Sequence, residues 1–139
     1  MFFCGYSFNE AKCLEKKSTF EPIPLEGTNL ADLITCHPDS TYFVFAFSYG
    51  CPYCQNSIGN VNQFEHMGVA DKVIGLVVKD SIGRERFNRL FEVNFEIREI
   101  SGRQMYRIAS TLPTTYQIRH DTIIKKRSGM VFSPALFLP

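Results

Sequence analysis

Residues 41–54 read "TYFVFAFSYGCPYC", an almost unbroken β-branched and aromatic run that ends in two cysteines, Cys51 and Cys54, two residues apart. Thr41 to Phe47 has the pattern of a central strand covered on both faces. Beyond the cysteines, Ile58, Val61 and Phe64 recur at helical spacing up to about His66, so the pair falls at a strand-to-helix junction. The first backbone N–H groups of a helix lack partners and its dipole favours an anion there, which favours a thiolate at Cys51. Cys54, one turn on, is placed to attack a mixed disulfide on Cys51 and release the partner. Pro52 suits the first helical turn, where its missing N–H costs nothing. Two neighbouring cysteines can also be inert or form a structural bridge, but placement between a central strand and a helix is the context of a working thiol–disulfide pair.

Outward from this stretch, Val73 to Val78, "VIGLVV", reads as a second buried strand. "SIGRERFNRLFEVN" from Ser81 places Phe87, Leu90 and Phe91 on one helical stripe, and Phe95 to Ile100 returns as a shorter strand. This βαβαβ order predicts an α/β sheet with parallel early strands joined by crossover helices. "GRQMYRIAS" adds a short helix. "TTYQI" and "TIIKK" flank the turn "RHD", a hairpin that gives the sheet an antiparallel part. Upstream, "FEPIPL" carries two prolines, which confine it to an edge strand or an extended lead-in. Asn29 is placed to cap a short helix over "LADLIT". Residues 1–19, polar and mixed, read as an N-terminal arm, and residues 20–139 as the folded domain. Ser133-Pro134 opens a final helix with little chain left to extend it.

The 139-residue chain is long enough to bury a core without structural disulfides or metals. Fifteen Lys and Arg balance 14 Asp and Glu without a basic stripe, so nucleic acid is not an expected partner. No apolar run approaches the roughly 18 residues of a membrane span. "MFFCG" is too short and too uncharged for a secretory signal; the alternative, the remnant of an apolar leader ending in a lipidated cysteine, would imply an anchor outside the given chain. The five cysteines are an odd count, and Cys4, Cys13 and Cys36 lack the close second pair that zinc requires, so no metal site is expected. An oxidising compartment would permit a Cys4–Cys13 bridge and leave Cys36 as the odd thiol.

The segment "FAFSYGCPYCQNSIGNVNQF" and, with its proline 62 residues after Cys51, the segment "STLPTTYQIRHDTIIKKRSG" resemble the thioredoxin-like oxidoreductases of the TlpA/ResA type. The lead-in "FEPIPLEGTNLADL" and the helix-strand "FNRLFEVNFEIREI" resemble the same group, so the likeness spans about residues 20–138. It implies a thioredoxin-like fold: a mixed central sheet flanked by helices, an N-terminal extension, and a helix-strand insertion before a cis-proline. It implies that Pro113 is that proline, lying beside the cysteines and exposing the backbone of Leu112 to an extended substrate, with Pro52 and Tyr53 on the substrate side. The chain departs from the group at Gly50, where Trp is usual, with Tyr49 one place earlier as the nearest supporting aromatic. Ser57 stands where a glutamate is common, Gly59 where a helix proline is, and Phe45 falls near the position of thioredoxin's buried aspartate. Glu65, His66, His120 and His37 are weaker candidates for the missing proton relay.

The resemblance implies a protein-disulfide reductase or exchanger, outside the cytoplasm, using no cofactor beyond the redox-active Cys51–Cys54 disulfide. Its partners would be protein thiols and disulfides and an upstream electron-donating thiol protein. Cys-Pro-Tyr-Cys is also the glutaredoxin motif, and Thr111-Leu112-Pro113 resembles its cis-proline triplet. The long 51-to-113 spacing and the absence of a following glycine pair stand against that reading. A non-catalytic thioredoxin-fold binding module, including a metal-delivery one, is the third reading; copper-delivery relatives have wider cysteine spacing and a placed histidine.

Overall fold

The structure, a computed structural model, describes residues 21–131. The expected arm over 1–19, Cys4, Cys13 and the Ser133-Pro134 helix opener lie outside the described residues. In chain order come β1 (Ile23–Pro24), a 3-10 helix (Asn29–Asp32), β2 (Thr41–Phe47), α1 (Pro52–Val61), β3 (Lys72–Val78), α2 (Ser81–Leu90), β4 (Glu96–Ile100), α3 (Gly102–Ile108), β5 (Thr114–Arg119) and β6 (Thr122–Ser128). The strands form one sheet in the order β1-β6-β5-β2-β3-β4. β2, β3 and β4 run parallel, joined through α1 and α2, whereas β5 is antiparallel to β2 and β6 to β5.

Alternation along β2 divides the core. Phe43, Phe45 and Phe47 face α1 and α2, with Cys54, Ile58, Val61, Phe64 and Phe87. Val44 and Ala46 face the 3-10 helix and α3, with Leu30, Ile34, Met105 and Ile108. Burying each aromatic side chain of this kind stabilises the fold by about 1.5–3 kcal/mol. Gly75, opposite Phe45 in the ladder, leaves the room these rings occupy. A Cβ there would lie 2.9 Å from Phe95 Cε1 and 3.1 Å from Phe47 Cε1.

The hairpin closes through His120 and Asp121, at φ of 53° and 57°. A two-residue turn with both central residues left-handed matches the twist of paired strands, and Asp and His tolerate that region better than β-branched residues do. β1 is an edge strand, pairing only Ile23 with Ile123 and Pro24 with Thr122. Among the described residues, no strand covers the outer edge of β6 beyond Ile123, where exposed Lys125, Lys126 and Arg127 follow.

Three local expectations are corrected. Asn29 is the first residue of the 3-10 helix; Thr28 is the cap, without a side-chain cap bond, and the Asn29 amide donates to the Arg107 carbonyl at 3.3 Å. The α-helix after the cysteines ends at Val61, and turns carry the chain on to Gly68. Leu90 does not join the buried stripe: it is 69% exposed although it is the last residue of the helix.

Candidate active site

Strand β2 ends at Phe47, and a tight turn brings the chain to Cys51, whose N–H donates to the Ser48 carbonyl at 3.3 Å. Cys51 is the N-cap of α1, with Pro52 in the first turn. Its Sγ accepts from the Cys54 N–H at 3.3 Å, so one of the helix's unpartnered donors points at the sulfur. Cys51 is half-buried, Cys54 fully buried, and both are free thiols. Burial, reinforced by the adjacent Cys51 sulfur, pushes the Cys54 thiol far above its ordinary range. The site therefore pairs a reachable sulfur at a helix mouth with an unreachable one held protonated beneath it.

The second segment closes over this pair. The Cys51 thiol donates to the Leu112 carbonyl at 3.8 Å. The Leu112–Pro113 peptide is cis, Pro113 is buried, and β5 begins at the next residue. Thr114 Oγ1 donates back to the Thr111 carbonyl at 2.6 Å, and Gly129 N–H donates to the Pro113 carbonyl at 2.8 Å, which fixes both ends of the loop. Leu112 is half-buried between the two cores. Pro52 is exposed and Tyr53 is 63% exposed, an aromatic side chain standing on the rim beside Cys51.

Tyr49 and Ser57 are placed differently from residues that meet a substrate. Tyr49 is buried, its ring packing on Phe47 and Phe87 and its hydroxyl donating to Glu99 Oε2 at 2.8 Å. Its carbonyl accepts from the Gln55 side chain at 2.8 Å. Burial, then the Glu99 bond, pushes the phenol well above its ordinary range. Ser57 is fully buried; its hydroxyl donates to the Tyr53 carbonyl at 2.8 Å and accepts from the Val131 N–H at 2.9 Å, tying α1 to the chain beyond β6. Phe45 is fully buried and stacks on Phe47 at 4.9 Å, which leaves an aromatic core where thioredoxin's carboxylate would fall.

The weaker candidates are engaged elsewhere. Glu65 accepts from the Val73 N–H at 2.7 Å and His120 Nδ1 lies 3.1 Å from the Pro38 carbonyl, while His37, exposed before β2, bonds the Tyr42 hydroxyl through its backbone N–H at 2.9 Å. His66 is exposed on the turn after α1. Among the described residues no three His, Cys, Asp or Glu side chains gather at metal-binding distance. Glu99, which reaches Tyr49 from β4, and Arg84, which reaches Glu99 from α2, carry no local signal in the sequence: Glu99 lies 50 residues from Tyr49, and only the strand register brings them together.

No protein-family model matches this sequence, and no curated protein does. Solved structures match at low identity. StoA from Bacillus subtilis aligns with a TM-score of 0.59 and 19% identity, over 69% of this chain and 78% of that one. A thiol:disulfide interchange protein of the thioredoxin family from Chlorobium tepidum gives 0.56 and 16%, over 70% and 74%. A secreted Mycobacterium tuberculosis disulfide oxidoreductase homologous to E. coli DsbE gives 0.52 and 14%, over 84% and 91%. The fold is thioredoxin-like.

Proposed function

We propose that this thioredoxin-like chain is a thiol-disulfide oxidoreductase that reduces or exchanges protein disulfides through Cys51 and Cys54. The observation that carries the reading is the asymmetry of the pair: a half-exposed sulfur at the cap of α1, facing the Cys54 N–H, above a fully buried thiol. The structural neighbours that are interchange proteins support it.

In the forward direction the Cys51 thiolate attacks one sulfur of a substrate disulfide, forming a mixed disulfide and releasing the other sulfur as a thiolate that takes up a proton. Cys54 then gives up its proton and attacks the Cys51 sulfur. The Cys51–Cys54 disulfide forms, and the second substrate sulfur leaves as a thiol once protonated. Two electrons pass to the substrate, so the couple is itself the redox centre, and a dithiol protein must later return them. The first attack needs an exposed nucleophile, while the second needs a sulfur within reach of Cys51, and burial keeps outside reagents from Cys54 meanwhile. Leu112 and Pro113 form the wall beside Cys51, where the backbone of an extended substrate would lie; Pro52 and Tyr53 form the opposite rim.

An extracytoplasmic location is part of this proposal; it rests on the secreted neighbour. No helix among the described residues is long and apolar enough to cross a membrane. Insulin reduction with dithiothreitol as donor tests the activity, against turnover of a glutathione mixed disulfide. Faster insulin reduction, abolished by Cys51→Ser, is expected. Preferential turnover of the glutathione adduct would move the chain to the glutaredoxin reading, and turnover of neither would leave a binding module.

A further inference from the structure

The unit formed by α2 and β4 converges on Tyr49, two residues before the proposed nucleophile. From β4, Glu99 accepts the Tyr49 phenol at 2.8 Å. From α2, Arg84 Nη1 holds both oxygens of that carboxylate, at 3.1 and 3.0 Å. Phe87 packs its ring against Tyr49 at a centroid separation of 5.3 Å. At Gly83 a Cβ would lie 3.3 Å from Tyr49 Cβ and 2.3 Å from the Oδ2 of Asp80, the cap of α2, so the first turn of this helix sits directly against the tyrosine. These contacts have one target, and it is the residue that begins the turn into Cys51.

A buried phenol without an acceptor is costly, so the Glu99 bond determines where the Tyr49 hydroxyl is satisfied. Glu99 is paired with Arg84, so its charge is locally balanced and it acts on Tyr49 through geometry. The Tyr49 carbonyl is held from the other side by Gln55 of α1. Tyr49 is thereby held through its hydroxyl by Glu99 of β4, through its ring by Phe87 of α2 and through its carbonyl by Gln55 of α1.

We infer that Glu99 is a positioning residue for the dithiol: through the Tyr49 hydroxyl it holds the turn that sets Cys51 at the mouth of α1, and α2 and β4 are thus a working part of the site. The inference rests on the proposed exchange chemistry for its purpose, but its test reads the dithiol directly. If the turn loosens, Cys51 meets Cys54 in the correct geometry less often, and intramolecular closure of the disulfide is disfavoured.

The test compares the full chain with Tyr49→Phe, Glu99→Leu, Glu99→Gln and the Tyr49→Phe/Glu99→Leu double variant. Two quantities are measured: the equilibrium constant for closing Cys51–Cys54 in glutathione buffers, and the rate at which iodoacetamide labels Cys51, resolved by peptide mass spectrometry. Tyr49→Phe keeps the ring and its packing, and thermal melts identify any variant that fails to fold. Tyr49→Phe and Glu99→Leu are each expected to lower the closing constant by roughly three- to tenfold, the scale of one hydrogen bond to a charged group used in part for positioning. The double variant should lose no more than the larger single loss, and Glu99→Gln, which retains an acceptor oxygen, should recover most of it. The Cys51 labelling rate should change in the same variants. Closing constants and labelling rates that stay at the unsubstituted value in folded Tyr49→Phe would overturn the inference, as would losses that simply multiply in the double variant. Both readouts are independent of whether insulin is turned over.

Discussion

The Sγ of Cys51 and the carbonyl oxygen of Leu112 lie 3.8 Å apart, although the residues are 61 positions apart in the chain. Strand register is the cause. Ala46 pairs with Thr114 at the end of the β2–β5 ladder, so the chain leaving β2 and the chain entering β5 emerge side by side. Cys51 follows one strand and Leu112 precedes the antiparallel neighbour, which makes their relative position a property of the sheet.

The two sulfurs should label in a fixed order. Cys51 is half-exposed, whereas Cys54 is fully buried with its thiol pushed upward. In the reduced protein at neutral pH, iodoacetamide should modify Cys51 at least about tenfold faster, since it is accessible whereas burial both shields Cys54 and opposes its ionisation. Cys54→Ser should accumulate mixed disulfides, detectable by non-reducing gel and mass spectrometry, because the resolving attack is removed. Faster modification of Cys54 in the folded protein would reverse the assignment.

Direction depends on how strongly the reduced form is stabilised at the leading cysteine. A strong oxidant needs an unusually stable thiolate there, and neither histidine nor lysine lies between Cys51 and Cys54 to supply it. The couple should therefore equilibrate nearer thioredoxin's roughly −270 mV than the roughly −120 mV of a strong oxidant. Titration against glutathione buffers measures this. A pair that stays reduced in mildly oxidising buffer would mark the chain as an oxidant.

Cys36 should be a bystander. Burial, with Asp121 adding to it, pushes its thiol up to about 11, so it stays protonated at neutral pH. Cys36→Ser is expected to leave insulin reduction unchanged; a loss of turnover in a folded Cys36→Ser protein would give this thiol a part in electron transfer.

Glu99 makes stability depend on pH in a defined direction. The Tyr49 bond, with Arg84 adding to it, holds its carboxyl below the usual range. Such a group contributes stability that is fully present above the unfolded value of about 4.3 and is lost as pH falls through the lower native value. The unsubstituted protein should therefore lose stability more steeply than Glu99→Gln below about pH 4, as read from urea midpoints across the acid range. Parallel midpoint curves for the two proteins would show that Glu99 is not linked to folding.

Gly75→Ala reverses the usual benefit of replacing glycine in a strand. The added Cβ would press on Phe95 and Phe47, which Phe45 backs edge-on at 6.2 Å and face-on at 4.9 Å. Overpacking of this kind costs about 1–3 kcal/mol. Equilibrium denaturation should show the loss, and an alanine variant as stable as the parent would mean the rings have another place to go.

Much of this architecture is legible in local pattern. Thr41–Phe47 announces its burial by having almost no polar residue, and "RHD" between two β-branched runs announces a hairpin. The cysteines are found because the strand before them and the helix after them each have a recognisable period. The same logic fails wherever a contact joins distant elements. Ser57 sits where the resembling group carries a glutamate, yet its full burial and its bond to Val131 N–H depend on which face of α1 meets the sheet. Leu90 keeps the helical period of Phe87 as the last residue of α2, yet it stays exposed. Arg84 and Glu99 look like ordinary surface charges until β4 is docked on β3.

Along β6, the strand next to the short β1, the stretch Lys125-Lys126-Arg127 faces an edge that no described strand covers beyond Ile123. Open strand edges invite copies of a chain to stack in register, and a run of like charges opposes this because two such edges repel on approach. The repulsion is screened within about 10 Å at 0.1 M salt and within about 3 Å at 1 M. In dilute buffer these charges are therefore expected to oppose edge-to-edge association of copies, and concentrated salt to weaken that opposition.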